Sequence, residues 1–149
     1  MVDTSALWAP GHPLDAPFDL LPGIARFEPP DIVSFRLDRE MTADEIAYLF
    51  AFTTEAAART GGLFSLTDAS VPFPRMSVSA ALEFNRRFNP RMIRAAAVVD
   101  ASYRMRTLSE TLVRAARLLR LEIASTPVRY FDDDVAARAW FDTLRQGAA

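Results

Sequence analysis

Ile32-Val33-Ser34-Phe35-Arg36-Leu37, then Thr42-Ala43-Asp44-Glu45, then Gly61-Gly62-Leu63-Phe64-Ser65-Leu66-Thr67-Asp68: these three stretches, in this order, decide the fold. The first is β-rich and puts Val33, Phe35 and Leu37 on one face and Ile32, Ser34 and Arg36 on the other, which is the periodicity of a strand. Thr42 and Glu45 stand at capping-box spacing, so the hydroxyl and the carboxylate can each accept from an amide left free at a helix start. Ile46, Leu49, Phe50, Phe52 and Thr53 follow at helical spacing, and Gly61-Gly62 supplies a left-handed stop. Leu63 to Asp68 is an apolar run with a polar end, the pattern of a buried parallel strand whose carboxyl end meets solvent. Strand, capped helix and buried strand together predict a βαβ unit with a right-handed crossover.

Reading outward from this unit extends the alternation. A loop holding Pro72 and Pro74 leads to a helix near residues 78–88, expected to bury Ala81, Leu82 and Phe84 or Phe88 and to stop ahead of Pro90. Met92 to Val99 reads as a strand. The helix after it, about Arg104 to Leu121, carries Leu108, Leu112, Ala115, Ala116 and Leu119 as an apolar stripe expected to cover one face of the sheet. Val128 to Phe131 is a last short strand. Asp132-Asp133-Asp134 then stacks negative charge at the positive end of a final helix, whose buried face is expected at Ala136, Ala139, Trp140 and Leu144. Upstream, six of the ten prolines fall within the first 30 residues, so residues 1–23 are expected to be an irregular Pro-rich lead-in. Its Leu7, Trp8, Phe18, Leu20 and Leu21 are expected to pack over the core or against a second subunit, and Ile24 to Phe27 to form a short strand. The order β-β-α-β-α-β-α-β-α predicts an α/β protein: one domain over residues 24–149, with a mostly parallel sheet of four to five strands and helices packed on it.

Composition narrows the chemistry. The chain has no cysteine, which excludes disulfides, thiolate zinc sites and a cysteine nucleophile and favours a cytoplasmic protein. No apolar run is long enough to cross a bilayer, and the first residues do not read as a signal peptide. The net charge of −2, without a basic motif interleaved with aromatics, argues against nucleic acid as a partner. That total hides an asymmetry: residues 1–74 hold four arginines against eleven carboxylates, and residues 75–149 thirteen against eight. The two halves are therefore expected to attract each other.

No recognisable catalytic, metal or cofactor motif emerges. His12 is the single histidine and lies in the lead-in without partners at ligand or triad spacing. The Asp132-Asp133-Asp134 run is accounted for by helix capping more simply than by magnesium, and Gly61-Gly62 lacks the surroundings of a phosphate loop. Ten arginines and three acids lie between Arg75 and Arg120. Arg104 and Arg106, converging with Arg75 and Arg86 or Arg87, would make a patch for a phosphate or an acidic partner; the plainer reading is helix faces paired with the acidic half. Phe73, between two prolines after a buried strand, has no periodic role and is the candidate exposed anchor.

Several stretches resemble the STAS superfamily, the anti-sigma-factor-antagonist domains, over about Arg26 to Gln146. They are Phe27-Glu28-Pro29-Pro30-Asp31-Ile32-Val33, Thr42 to Glu45, Thr67-Asp68-Ala69-Ser70, Ala101-Ser102-Tyr103-Arg104, and Tyr130-Phe131-Asp132-Asp133 with Ala139-Trp140-Phe141. In regulatory members a kinase phosphorylates a serine within an Asp-Ser-Ser/Thr-Gly stretch. The matching stretch here is Asp68-Ala69-Ser70-Val71, which keeps the Asp but loses the first serine and the glycine. The resemblance thus implies Ser70 as phosphoacceptor, with Ser77 more distant. It also implies a non-enzymatic bacterial signalling module that binds a protein partner, such as a regulatory kinase or an anti-sigma-like protein, or forms a homodimer. The alternative reading is a carrier or sensor of a small apolar or lipid-like ligand, suggested by the apolar lead-in and by distant relatives of the fold.

Overall fold

Thr42 caps the first helix as its spacing predicts. Its hydroxyl accepts from the Glu45 amide (3.1 Å), its own amide donates to Glu45 Oε1 (3.0 Å), and helix α1 runs Ala43–Thr60 to Gly61, which takes the left-handed φ of 82°. Around it the computed structural model describes residues 8–36, 38–70, 78–89, 91–120 and 126–147. The remaining elements are strands β1 (Phe18–Leu21), β2 (Ala25–Glu28), β3 (Ile32–Arg36), β4 (Leu63–Asp68), β5 (Ile93–Val99) and β6 (Val128–Phe131), with helices α2 (Val78–Arg87), α3 (Tyr103–Leu118) and α4 (Asp134–Gly147).

The strands form one sheet in sequential order. β1, β2 and β3 are antiparallel neighbours, and β3 to β6 are parallel. The α/β class and mostly parallel sheet are as expected, but the sheet has six strands and the order begins β-β-β. The extra strand lies in residues 1–23, read from their prolines as an irregular lead-in. Pro17 and Pro22 flank β1 without interrupting its ladder, so the hairpin with β2 survives. The lead-in packs on its own domain: Trp8, Leu20 and Leu21 are buried, and Trp8 and Phe18 close on the Phe52 ring at 5.4 and 5.8 Å.

Each face of the sheet has its own core. Ala25, Phe27, Val33 and Leu63 meet Leu49, Phe52 and Ala56 of α1 on the first face. On the second, Ile32, Phe64, Leu66, Ala95 and Ala97 meet Ala137 and Phe141 of α4, with Phe141 stacked on Phe64 at 4.6 Å. Burying a ring of this size contributes about 2–3 kcal/mol. The α4 face was expected at Ala136, Ala139, Trp140 and Leu144. The helix is instead turned by one residue, so that Ala137 and Phe141 are buried, Trp140 and Leu144 half-buried, and Ala136 and Ala139 exposed. Arg145 fixes that turn: it reaches the buried Asp31 at the foot of β3 through Nη2 (2.5 Å) and Nε (3.1 Å). With Arg138–Glu28 (2.7 Å) this realises the attraction between the two halves of the chain.

Two helices bury less than their patterns predict. On α2, Leu82 is exposed and Ala80 is buried, while Phe84 packs against Phe50 and Phe88; the Ala81 side chain lies outside the described residues. On α3, Leu108 and Leu119 are 54% and 71% exposed and Ala115 is exposed, so these three members of the stripe do not cover the sheet. The side chains of Leu112 and Ala116 lie outside the description. α3 lies beside β6, a four-residue edge strand that offers it little surface, with Arg106 over the Tyr130 ring. No helix among the described residues is long and apolar enough to cross a membrane.

Arg39 donates to both Glu45 oxygens (2.9 and 2.7 Å), and chiefly for that reason the Glu45 carboxyl is lowered from 4.5 to about 2. Folding thus favours the ionised form, and its contribution is complete above about pH 4.5 and is lost as pH falls toward 2. Glu45→Gln is expected to cost about 1 kcal/mol at pH 7 and almost nothing near pH 2, as read by urea denaturation at the two pH values.

Candidate functional site

The second face is covered over only half its width, and the sequence of β2 and β3 explains why. Their residues on the first face are apolar, whereas those on the second, apart from the buried Ile32, are Arg26, Glu28, Ser34 and Arg36, placed side by side by the register Arg26↔Ser34 and Glu28↔Ile32. A helix cannot bury such a row without stripping water from its charges. α4 therefore lies over β5 and β6, with Phe141 reaching Phe64 of β4, and leaves an open groove of about 520 Å³ between its first turns, the β2–β3 hairpin and the carboxyl ends of the parallel strands. Open parallel sheets bind ligands at that end of the strands.

The groove is acidic. Asp19, Glu28, Asp68, Asp100, Asp132 and Asp134 line it against Arg26, Arg36 and Arg138. Two of the arginines are paired, Arg26 with Asp19 (3.1 Å) and Arg138 with Glu28 and Asp134 (2.7 and 2.6 Å). Asp100 sits just past β5 at φ 60°, a conformation that asparagine and aspartate adopt most readily among non-glycine residues, and its amide donates to Phe131 O (2.9 Å). Asp133 caps α4 by accepting from the Ala136 amide (2.7 Å), so one member of the aspartate run serves the helix end as its position predicts.

Ser70 stands exposed at the rim. Its amide donates to Asp68 Oδ1 (2.9 Å), an Asx turn that ends β4. The Ser70 hydroxyl, then its amide, then the Arg36 charge hold the Asp68 carboxyl below its ordinary value, so Asp68 is an anion and a poor base for activating the serine. Phe73, Arg75 and Ser77 lie outside the described residues. The remaining arginines of the predicted patch do not gather at the groove. Arg86 and Arg87 both pair with Glu83 on α2, and Arg104 is exposed on the first turn of α3 beside the exposed Tyr103. Arg106 lies over the Tyr130 ring (5.3 Å) in a different cleft. His12 is far from both, edge-on to Phe18 at 4.4 Å.

Of the groove residues only Ser70 was singled out from sequence as a site. Arg26, Glu28 and Arg36 were legible as the polar face of a half-exposed strand pair, but joining them to Asp100 and Asp132 required the strand order. No protein-family model, curated protein or solved structure matches the chain. The Asx turn yields a direct expectation. In NMR titration the Asp68 carboxyl should titrate below the ordinary aspartate value of about 3.9, and Ser70→Ala should move it upward. An unmoved midpoint in that variant would show that Ser70 does not hold the carboxylate.

Proposed function

We propose that this chain is a non-enzymatic interaction module of bacterial signalling that receives a protein partner in the acidic groove and is controlled by phosphorylation of Ser70. The observation that carries the reading is the position of Ser70: exposed, fixed by Asp68, and on the rim of a groove with twice as many carboxylates as arginines. A partner that fits such a surface presents a basic segment. A phosphate on Ser70 would add nearly two negative charges beside Asp68, which changes both the local turn and the field met by the partner. The resemblance of Asp68-Ala69-Ser70 to the phosphorylated stretch of anti-sigma-factor antagonists supports the same reading. Among the described residues the groove lining holds no histidine; of its two hydroxyls, Ser34 donates to Arg26 O (3.4 Å) and Ser70 is hydrogen-bonded to a carboxylate of lowered proton affinity, an arrangement suited to docking more than to acid–base chemistry.

The carrier alternative draws no support from this groove, which is open and charged where a carrier of apolar molecules needs an enclosed apolar chamber.

The test is retention of proteins from source-cell lysate by tagged wild type, Ser70→Ala and Ser70→Glu, with the intact mass of each bait. We expect a stoichiometric partner held by wild type and Ser70→Ala and released at least about tenfold by Ser70→Glu, which corresponds to about 1.4 kcal/mol. Equal retention by all three, with no phosphorylated bait, would remove Ser70 and this groove from the account.

A further inference from the structure

A second charged surface lies on the opposite face, between α3 and the edge strand β6. Arg106, Arg114, Arg117 and Arg129 line a cleft of about 460 Å³ there, with Glu110 and Tyr130. Several guanidinium groups elsewhere in the fold are paired with carboxylates: Arg26 with Asp19, Arg39 with Glu45, Arg138 with Glu28, Arg145 with Asp31. None of the four in the cleft has a carboxylate partner among the described residues, although Glu110 shares the cleft with them. Like charges gathered without counter-charge repel one another, a cost that a bound anion would offset.

The depth of the cleft narrows the anion. Arg106 is half-buried under its helix with its guanidinium over the Tyr130 ring, and its Nε is shut off from solvent without an acceptor. A flat bilayer or the surface of a folded protein reaches the exposed Arg114 and Arg117 but not the half-buried Arg106 side chain. A compact anion with several acceptor oxygens enters the cleft and meets Arg106, Arg114 and Arg117, while Arg129 turns its guanidinium toward the Phe131 and Trp140 rings; the planar fork of arginine matches phosphate oxygens in pairs. The cleft volume falls in the range of small-molecule sites, roughly 300–1,000 Å³.

We propose that the α3–β6 cleft is a binding site for the phosphate groups of a soluble small molecule, distinct from the partner groove and independent of it. The probe is pyrophosphate, titrated into the full-length protein by calorimetry at low and high salt. Saturable one-to-one binding is expected, weakened by salt, since Arg114 and Arg117 are exposed, and lowered by about tenfold or more for each guanidinium removed in Arg114→Gln and Arg117→Gln. Arg86→Gln, whose guanidinium pairs with Glu83 on α2, should bind as wild type does. Binding that is absent, or that survives the Arg114→Gln/Arg117→Gln double variant, overturns the proposal. A parallel arm tests vesicles of phosphatidylglycerol against phosphatidylcholine. Sedimentation with the anionic vesicles that pyrophosphate does not displace, and that Leu118→Ser/Leu119→Ser abolishes, would assign the arginines to a membrane surface and likewise overturn it.

Discussion

Asp31 sits at the foot of β3, almost wholly removed from solvent, and a carboxylate in that position requires a cation. Arg145 supplies it from the last turns of α4, gripping both oxygens while its guanidinium also lies 5.2 Å from the centre of the Phe64 ring. That one contact ties the end of the chain to the start of the parallel sheet across 114 residues of sequence. It also sets the rotation of α4 that seats Phe141 on Phe64 and leaves Ala136 and Ala139 outside. With the helix held over β5 and β6 and against Phe64 of β4, the polar rows of β2 and β3 stay uncovered, and the acidic groove is what remains between them. The candidate site is therefore a consequence of where the second core ends.

Much of this was legible in the sequence because local chemistry and tertiary environment agree there. The capping box at Thr42, the glycine stop at Gly61 and the alternation of Ile32 to Arg36 all serve in the fold as their spacing predicts. The readings that failed are those in which periodicity alone had to choose a partner. α4 has apolar residues at Ala136, Ala137, Ala139, Trp140 and Phe141, enough for two overlapping stripes, and only the Asp31–Arg145 contact selects between them. α3 carries its stripe beside a short edge strand, so amphipathicity gave the helix while Leu108, Ala115 and Leu119 stay exposed. β1 was hidden because proline-rich composition was weighed over the apolar Phe18, Leu20 and Leu21. The groove was legible residue by residue on β2 and β3, yet the strand order that completes it is a tertiary fact.

The charge asymmetry of the chain ends up divided between two surfaces. Part of it is consumed internally, where Arg138 and Arg145 of the basic half meet Glu28 and Asp31 of the acidic half. The remainder is displayed as an acidic groove on the α4 face and a basic cleft on the α3 face. Among the described residues each surface has too few opposite charges to neutralise itself, and because the two lie on different faces, the basic segment and the small anion proposed above would not compete.

The central claim is that the Asp31–Arg145 contact positions α4, and a double-mutant cycle in urea with Asp31→Asn, Arg145→Gln and the double variant measures it most directly. A coupling energy of about 2 kcal/mol or more is predicted, with each single variant costing more than the removal of a surface ion pair. A coupling below about 0.5 kcal/mol, the level of an exposed pair, would contradict it: α4 would then be held by the Phe64–Phe141 stack alone, and the groove would owe nothing to the buried carboxylate.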